Sequence, residues 1–223
     1  MESIKTRLPA ILRILEKAYP AAATSLTFRS PWELLVATVL SAQCTDERVN
    51  KVTPGLFVKF PDVAAFARAD QATLEAEIRS TGFFRNKAKN LLGAARKLTA
   101  EFGGRVPETM AELITLPGVA RKTANIVLSS AFHKAEGIAV DVHVARLSQR
   151  MGLTRLSVPE KIERDLLALV PRKYWLTFNH MFVLHGRAIC RARKPQCGEC
   201  PLSDLCPRIG LPAAANRPAA KRP

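Results

Sequence analysis

Residues 111–132, AELITLPGVARKTANIVLSSAF, decide how this chain is read. An amphipathic helix ends near Leu116, the chain turns at Pro117-Gly118, and a second helix begins near Ala120, with apolar residues at helical spacing on both sides. Glycine reaches backbone angles closed to other residues and admits a close neighbour, which suits Gly118 to a tight turn. The first N–H groups of the second helix then point outward beside the positive end of its macrodipole. Gly118, Val119 and Ala120 thereby outline a phosphate-sized anion site that would grip a nucleic-acid backbone without reading its sequence. An ordinary helix–helix turn leaves the same local signature.

Lys122 falls in the first turn of that second helix, where a cation faces a like partial charge and has Arg121 for a neighbour. Both circumstances favour the neutral amine that a Schiff-base nucleophile requires. At ordinary lysine basicity only on the order of one side chain in a thousand or fewer is neutral at pH 7. A solvated surface lysine is the plainer reading of the same residue.

The turn has an echo. Aligning Gly82 with Gly118 sets GFFRNKAKNLL (82–92) against GVARKTANIVL (118–128), with Arg85 opposite Arg121 and Ala88 opposite Ala124. Two helix–turn–helix hairpins result, too few copies for a solenoid. Helix starts recur along the rest of the chain. Capping boxes stand at Ser30–Glu33, Thr109–Glu112 and Ser157–Glu160, and single caps at Thr45 and Asp70. GIAV (137–140) is too short and isolated to build a sheet, so the chain is expected to be all-α.

With 223 residues, 48% of them hydrophobic, the chain can bury a core and is neither disordered nor fibrous. Its formal charge of +15 and pI near 10.2 set up a positive field that attracts a polyanion, nucleic acid first. A ribosome-like or membrane-adsorbing protein is the other class such a charge permits. MESIKTRLPAILRILEK at the N-terminus reads as an amphipathic helix and not a secretory signal. The apolar run LLVATVL is far below the roughly 20 residues a bilayer needs, so no membrane is expected. A cytoplasmic, thiol-reducing compartment follows, and residues 210–223, rich in Ala and Pro, read as a flexible basic tail.

In AEGIAVDVHVARLSQRMGL (135–153), Asp141 follows three apolar residues and opens a helix. It reads as an N-cap, and equally as a carboxylate that could take a proton or balance positive charge developing on a sugar ring. His143 reads as a structural or phosphate-contacting side chain. Farther on, CRARKPQCGECPLSDLC places Cys190, Cys197, Cys200 and Cys206 in a C-x6-C-x2-C-x5-C pattern. A segment this poor in apolar residues needs a metal to hold four thiolates together, and zinc or an iron–sulfur cluster would serve. Disulfides are disfavoured by the compartment. Arg191, Arg193 and Lys194 lie inside the loop, where ordering it would aim three cations together at a DNA backbone. Cys44 stands apart as a buried free thiol.

SAQCTD, LPGVARKTANIV, AVDVHVARL, LHGR and the cysteine quartet, in this order over roughly residues 20–208, resemble the endonuclease III family of helix-hairpin-helix DNA glycosylases. The resemblance implies a six-helix barrel domain over 24–135. It also implies a discontinuous domain from 1–23 and 136–209 that carries a [4Fe-4S] cluster on the four cysteines, with damaged double-stranded DNA in the cleft between them. It matches Lys122 to the nucleophile, Asp141 to the catalytic aspartate, Gln43 to the residue that fills the gap left by an extruded base, and Phe83 to the wedge. A monomeric, bifunctional glycosylase/AP lyase acting on oxidised pyrimidines is therefore expected. A MutY-type adenine glycosylase is disfavoured by Lys122 and the short tail. A non-catalytic, metal-stabilised DNA-binding protein is the reading from another class.

Three departures from the family pattern carry expectations. Ala120 replaces a common glycine, and either its Cβ obstructs phosphate or, if positive φ is needed, it costs about 1–2 kcal/mol. Val142 replaces a common threonine, and Phe83 a more usual leucine.

Overall fold

The computed structural model describes residues 3–212, so the expected tail lies, from residue 213 onward, outside the described residues. Every regular element among the described residues is helical, with no strand, as the capping signals imply. The chain divides into two compact units, Thr24–Glu136 and the flanking segments up to Ala23 and from Gly137.

The continuous unit holds α2 (Pro31–Leu40), α3 (Asp46–Lys59), α4 (Val63–Arg68), α5 (Gln71–Ile78), α6 (Phe84–Glu101), α7 (Met110–Leu113) and α8 (Arg121–Ala131), following α1 (Ile4–Ala18) of the other unit. Ser30 caps α2 by accepting from the Glu33 N–H, and Pro31 at the first helical position costs no hydrogen bond there. Trp32 through Leu40 of α2 are all buried, which makes it the central helix of this unit. Leu34, Leu35, Ala37 and Leu40 share one core with Phe66, Leu74, Ile78, Ala88, Leu91, Ala95, Val127 and Leu128. Trp32 meets Phe66 edge to face at 5.2 Å. Thr45, Asp62, Asp70 and Thr109 each cap the helix that follows with a side-chain oxygen.

The discontinuous unit combines α1 with α9 (Val142–Met151), α10 (Pro159–Leu169) and α11 (Trp175–Ala188). Leu8, Ile11, Leu12 and Leu15 on one stripe of α1 pack with Val144, Leu147, Ile162, Leu166, Phe178 and Phe182. Buried Arg7 on α1 donates to Met151 O and Leu205 O, joining the end of α9 to the C-terminal loop.

Two sequence expectations need correction here. Ser157 does not cap α10: with Pro159 as the first helical residue, Val158 takes the cap position and supplies no side-chain bond, one residue later than the box requires. Cys44 is half-buried and not fully buried, because it sits in the short turn that follows α2. Among the described residues, no helix is long and apolar enough to cross a membrane.

Candidate functional site

The turn between α7 and α8 is set by contact with α6. Gly118 has φ +78°, and a Cβ there would fall 2.8 Å from Asn90 Cβ. Pro117 lies over Gly93, where a Cβ would come within 3.1 Å of the proline ring. Glycine is thus required at 118 twice, by its backbone angle and by its neighbour. The Val119 N–H donates to Leu116 O at 3.1 Å and its side chain is buried, so Val119 holds the turn and presents no side chain to a ligand.

Ala120 caps α8 with no side-chain hydrogen bond. Its φ of −88° and ψ of 169° are extended, which overturns the positive-φ alternative: any cost of alanine here is the volume of its Cβ. The orphan N–H groups of an 11-residue helix thus start behind a small, exposed residue, the arrangement an approaching anion needs. Lys122 is exposed in the first turn of α8.

The two hairpins meet across α6. Gln43, Phe83 and Gly118 line one recess, together with Asn86, Lys87 and Asn90. Gln43 and Phe83 are both exposed and both left-handed, at φ 54° and 47°. The echo between hairpins is therefore imperfect, since Phe83 takes an angle that Val119 does not. Lys87 had no signal in the sequence beyond its place on α6. Only 5% exposed, it donates from Nζ to Leu40 O and Thr81 O, both at 2.8 Å. Burial pulls its pKa below the ordinary lysine value, against a smaller opposing pull from Cys44.

In the discontinuous unit, Asp141 caps α9, with Oδ1 accepting from the N–H groups of both His143 and Val144 at 2.8 Å. Oδ2 takes neither of these bonds, so a cap and a reacting carboxylate can coexist in one side chain. The strand-like run before it is bolted by Asn179 Nδ2, which donates to Ala139 O at 2.9 Å. His180, a residue the sequence did not single out, is buried within the field of Asp141. Burial lowers its pKa, and the nearby carboxylate partly opposes that shift. Val142 is 73% exposed. His143 packs on α11 where a Cβ on Gly186 would come within 2.6 Å of its Nδ1, which explains the glycine of LHGR.

Cys190, Cys197, Cys200 and Cys206 all line a single recess, closed by Ile189, Pro195 and Leu202. No three His, Cys, Asp or Glu groups among the described residues gather as a set for one metal ion; the thiols stand around the walls. Burial pushes Cys200 up to about 11 and raises Cys206 as well, so these sulfurs become thiolates by binding a cationic group. An all-thiol donor set around an apolar recess fits an iron–sulfur cluster. His185, pulled down to about 4 by burial, is neutral, and it links Tyr19 Oη (3.1 Å from Nδ1) to Cys200 Sγ (3.5 Å from Nε2). Arg146 and Arg150, one turn apart on α9, grip the loop backbone. Arg146 donates to Gly186 O and Cys190 O, and Arg150 to Cys190 Sγ, Arg191 O and Ala192 O. That grip leaves the side chains of Arg191, Arg193 and Lys194 exposed. The i, i+4 arginine pair opposite the apolar face of α9 was the signal available for it.

Comparison with known proteins agrees with this layout. Residues 36–172 match the model of the HhH-GPD superfamily of base excision DNA repair proteins, and 190–206 that of the iron-sulfur binding domain of endonuclease III. Endonuclease III of Synechocystis sp. is 59% identical over 93% of this chain and 94% of its own. That of Escherichia coli K12 is 41% identical over 91% and 95%. A trapped endonuclease III–DNA covalent intermediate superposes with a TM-score of 0.88 at 42% identity, covering 93% of this chain and 97% of that one. A thermostable thymine-DNA glycosylase shares the fold, with a TM-score of 0.84 at 23% identity. The chain belongs to the endonuclease III family of base-excision DNA glycosylases and AP lyases, and residues 190–206 carry that family's iron–sulfur binding domain.

Proposed function

We propose that Lys122 is the nucleophile of a bifunctional reaction on oxidised pyrimidines in duplex DNA, carried out by a monomer in the cytoplasm. The observation that carries this reading is the exposed amine in the first turn of α8, behind a glycine turn and a cap residue that leaves the helix start open to phosphate. Gly118 and Ala120 bring the DNA backbone to the helix N-terminus, and exposed Arg191, Arg193 and Lys194 add backbone contacts without sequence readout. Phe83 enters the stack and Gln43 fills the gap left by the extruded base, which lowers the cost of unstacking. His143 supports the Asp141 loop from its place against Gly186.

Lys122 Nζ attacks C1′ of the extruded nucleotide through its lone pair. The N–C1′ bond forms as the glycosidic bond breaks, and the base leaves with the bonding pair and takes up a proton from water. The family resemblance gives Asp141 the role of taking up the amine's proton and balancing positive charge on the sugar. Ring opening leaves a Schiff base, loss of the C2′ proton expels the 3′ phosphate, and water releases the lysine. Cys190, Cys197, Cys200 and Cys206 hold the iron–sulfur cluster, which when bound orders the loop carrying the three exposed cations.

Borohydride reduction during turnover should trap a covalent protein–DNA adduct. Lys122→Ala should abolish the adduct while leaving thermal stability within about 0.5 kcal/mol, as for an exposed side chain. An adduct that persists in Lys122→Ala overturns the assignment and transfers the chemistry to another amine.

A further inference from the structure

Two residues on the rim of the recess in the continuous unit share an unusual backbone state. Gln43 (φ 54°) and Phe83 (φ 47°) are left-handed without being glycine, a conformation costing on the order of 1 kcal/mol or more that persists only where the surroundings hold it. The segments carrying them are far apart in sequence. One leaves α2 after Leu40, and the other leaves the 3₁₀ turn Arg79–Thr81.

Lys87 touches both. Its Nζ donates to Leu40 O, the last residue of α2, and to Thr81 O, the last residue of the 3₁₀ turn, each at 2.8 Å. Its backbone N–H donates to Phe83 O at 3.1 Å as the first bond of α6. An ammonium is well matched to carbonyls at helix C-termini, where the macrodipole is negative, and charge-assisted bonds to them are stronger than neutral ones. At 5% exposure the amine is sealed beneath the rim and cannot reach a substrate as the exposed Lys122 can.

We propose that Lys87 is a positioning residue whose ammonium ties the segment carrying Gln43 to the segment carrying Phe83, so that the two side chains enter the duplex as one rigid pair. This rests on the reading above that Gln43 and Phe83 insert into DNA. Without the tie, each segment relaxes from its left-handed turn independently, and the spacing between wedge and gap-filler is lost.

The test uses the cluster-loaded protein and a duplex with 2-aminopurine beside a stable abasic analogue, whose fluorescence rises as the stack is opened. Lys87→Met, which keeps the chain length and removes the donors, should slow the rise on the order of 10- to 100-fold. Lys87→Arg, which keeps charge and donors, should recover most of it. Adding Lys87→Met to Phe83→Ala should cost less than the product of the two single effects, as coupled residues do. If Gln43→Ala and Phe83→Ala slow the rise but Lys87→Met does not, the insertion reading stands and the tie is overturned. If Gln43→Ala and Phe83→Ala leave it unchanged, the insertion reading fails and the tie with it. A Lys87→Met protein that lacks native circular dichroism and visible cluster absorbance also overturns the proposal, since the residue then supports the whole core.

Discussion

Gly118 lies against Asn90 so closely that the missing Cβ of one would sit 2.8 Å from the Cβ of the other. This pair fixes the seat of the hairpin on α6, and it separates two reasons for glycine that usually travel together. Gly104 has nearly the same backbone angle, φ +75°, with open space around it. Gly104→Ala should therefore lose only the conformational cost, about 1 kcal/mol, whereas Gly118→Ala should lose that and more, about 2–3 kcal/mol in all. Urea unfolding of the two variants checks this; equal losses would show that the Asn90 contact relaxes freely.

Ala120 is where stability and DNA binding pull apart. Its extended backbone tolerates any residue, so Ala120→Asp should cap α8 and stabilise the protein by about 1 kcal/mol. The same carboxylate would occupy and repel the phosphate, and affinity for duplex should fall at least tenfold. Ala120→Gly should raise affinity with little change in melting temperature. No gain in affinity from glycine would show that the methyl group does not obstruct the backbone.

Asp141 combines a cap with a reacting group, and the two can be divided by substitution. Asparagine caps as well as aspartate, so Asp141→Asn should keep stability within about 0.5 kcal/mol while single-turnover base release falls by on the order of 100-fold or more. Asp141→Ala should show the same chemical loss and, with the bonds to His143 and Val144 gone, a further destabilisation of about 1 kcal/mol. An Asp141→Asn enzyme that releases base at the native rate would leave only the cap.

Gly186→Ala forces a methyl into His143, 2.6 Å from Nδ1, and into Arg146, whose Nη2 would be 2.9 Å away. The guanidinium has a flexible stem and can withdraw, but then it releases Cys190 O. The expected outcome is a loss of about 1–3 kcal/mol and faster bleaching of the cluster's visible absorbance in air. Adding His143→Ala should restore part of the stability by opening the space. Failure of that second change to help would place the strain elsewhere.

Much of this protein is written locally. Ser30, Thr45, Asp70 and Thr109 cap helices because a side-chain oxygen beside its own backbone needs no distant partner. The turn at Pro117-Gly118, the cap at Asp141 and the cysteine spacing are legible for the same reason, and the family resemblance joined them into one enzyme. Ser157 misled because its box is a local rule that Pro159, two residues on, shifts by one position. Tertiary structure alone decided that Asn90 sits under Gly118, that Lys87 answers two carbonyls from separate segments, and that Arg146 and Arg150 hold the backbone of residues 186–192. In each case a side chain meets a main-chain group or a missing Cβ on another element of the fold. Every residue carries the same carbonyl, so a sequence names the donor but not which carbonyl the fold will bring to it.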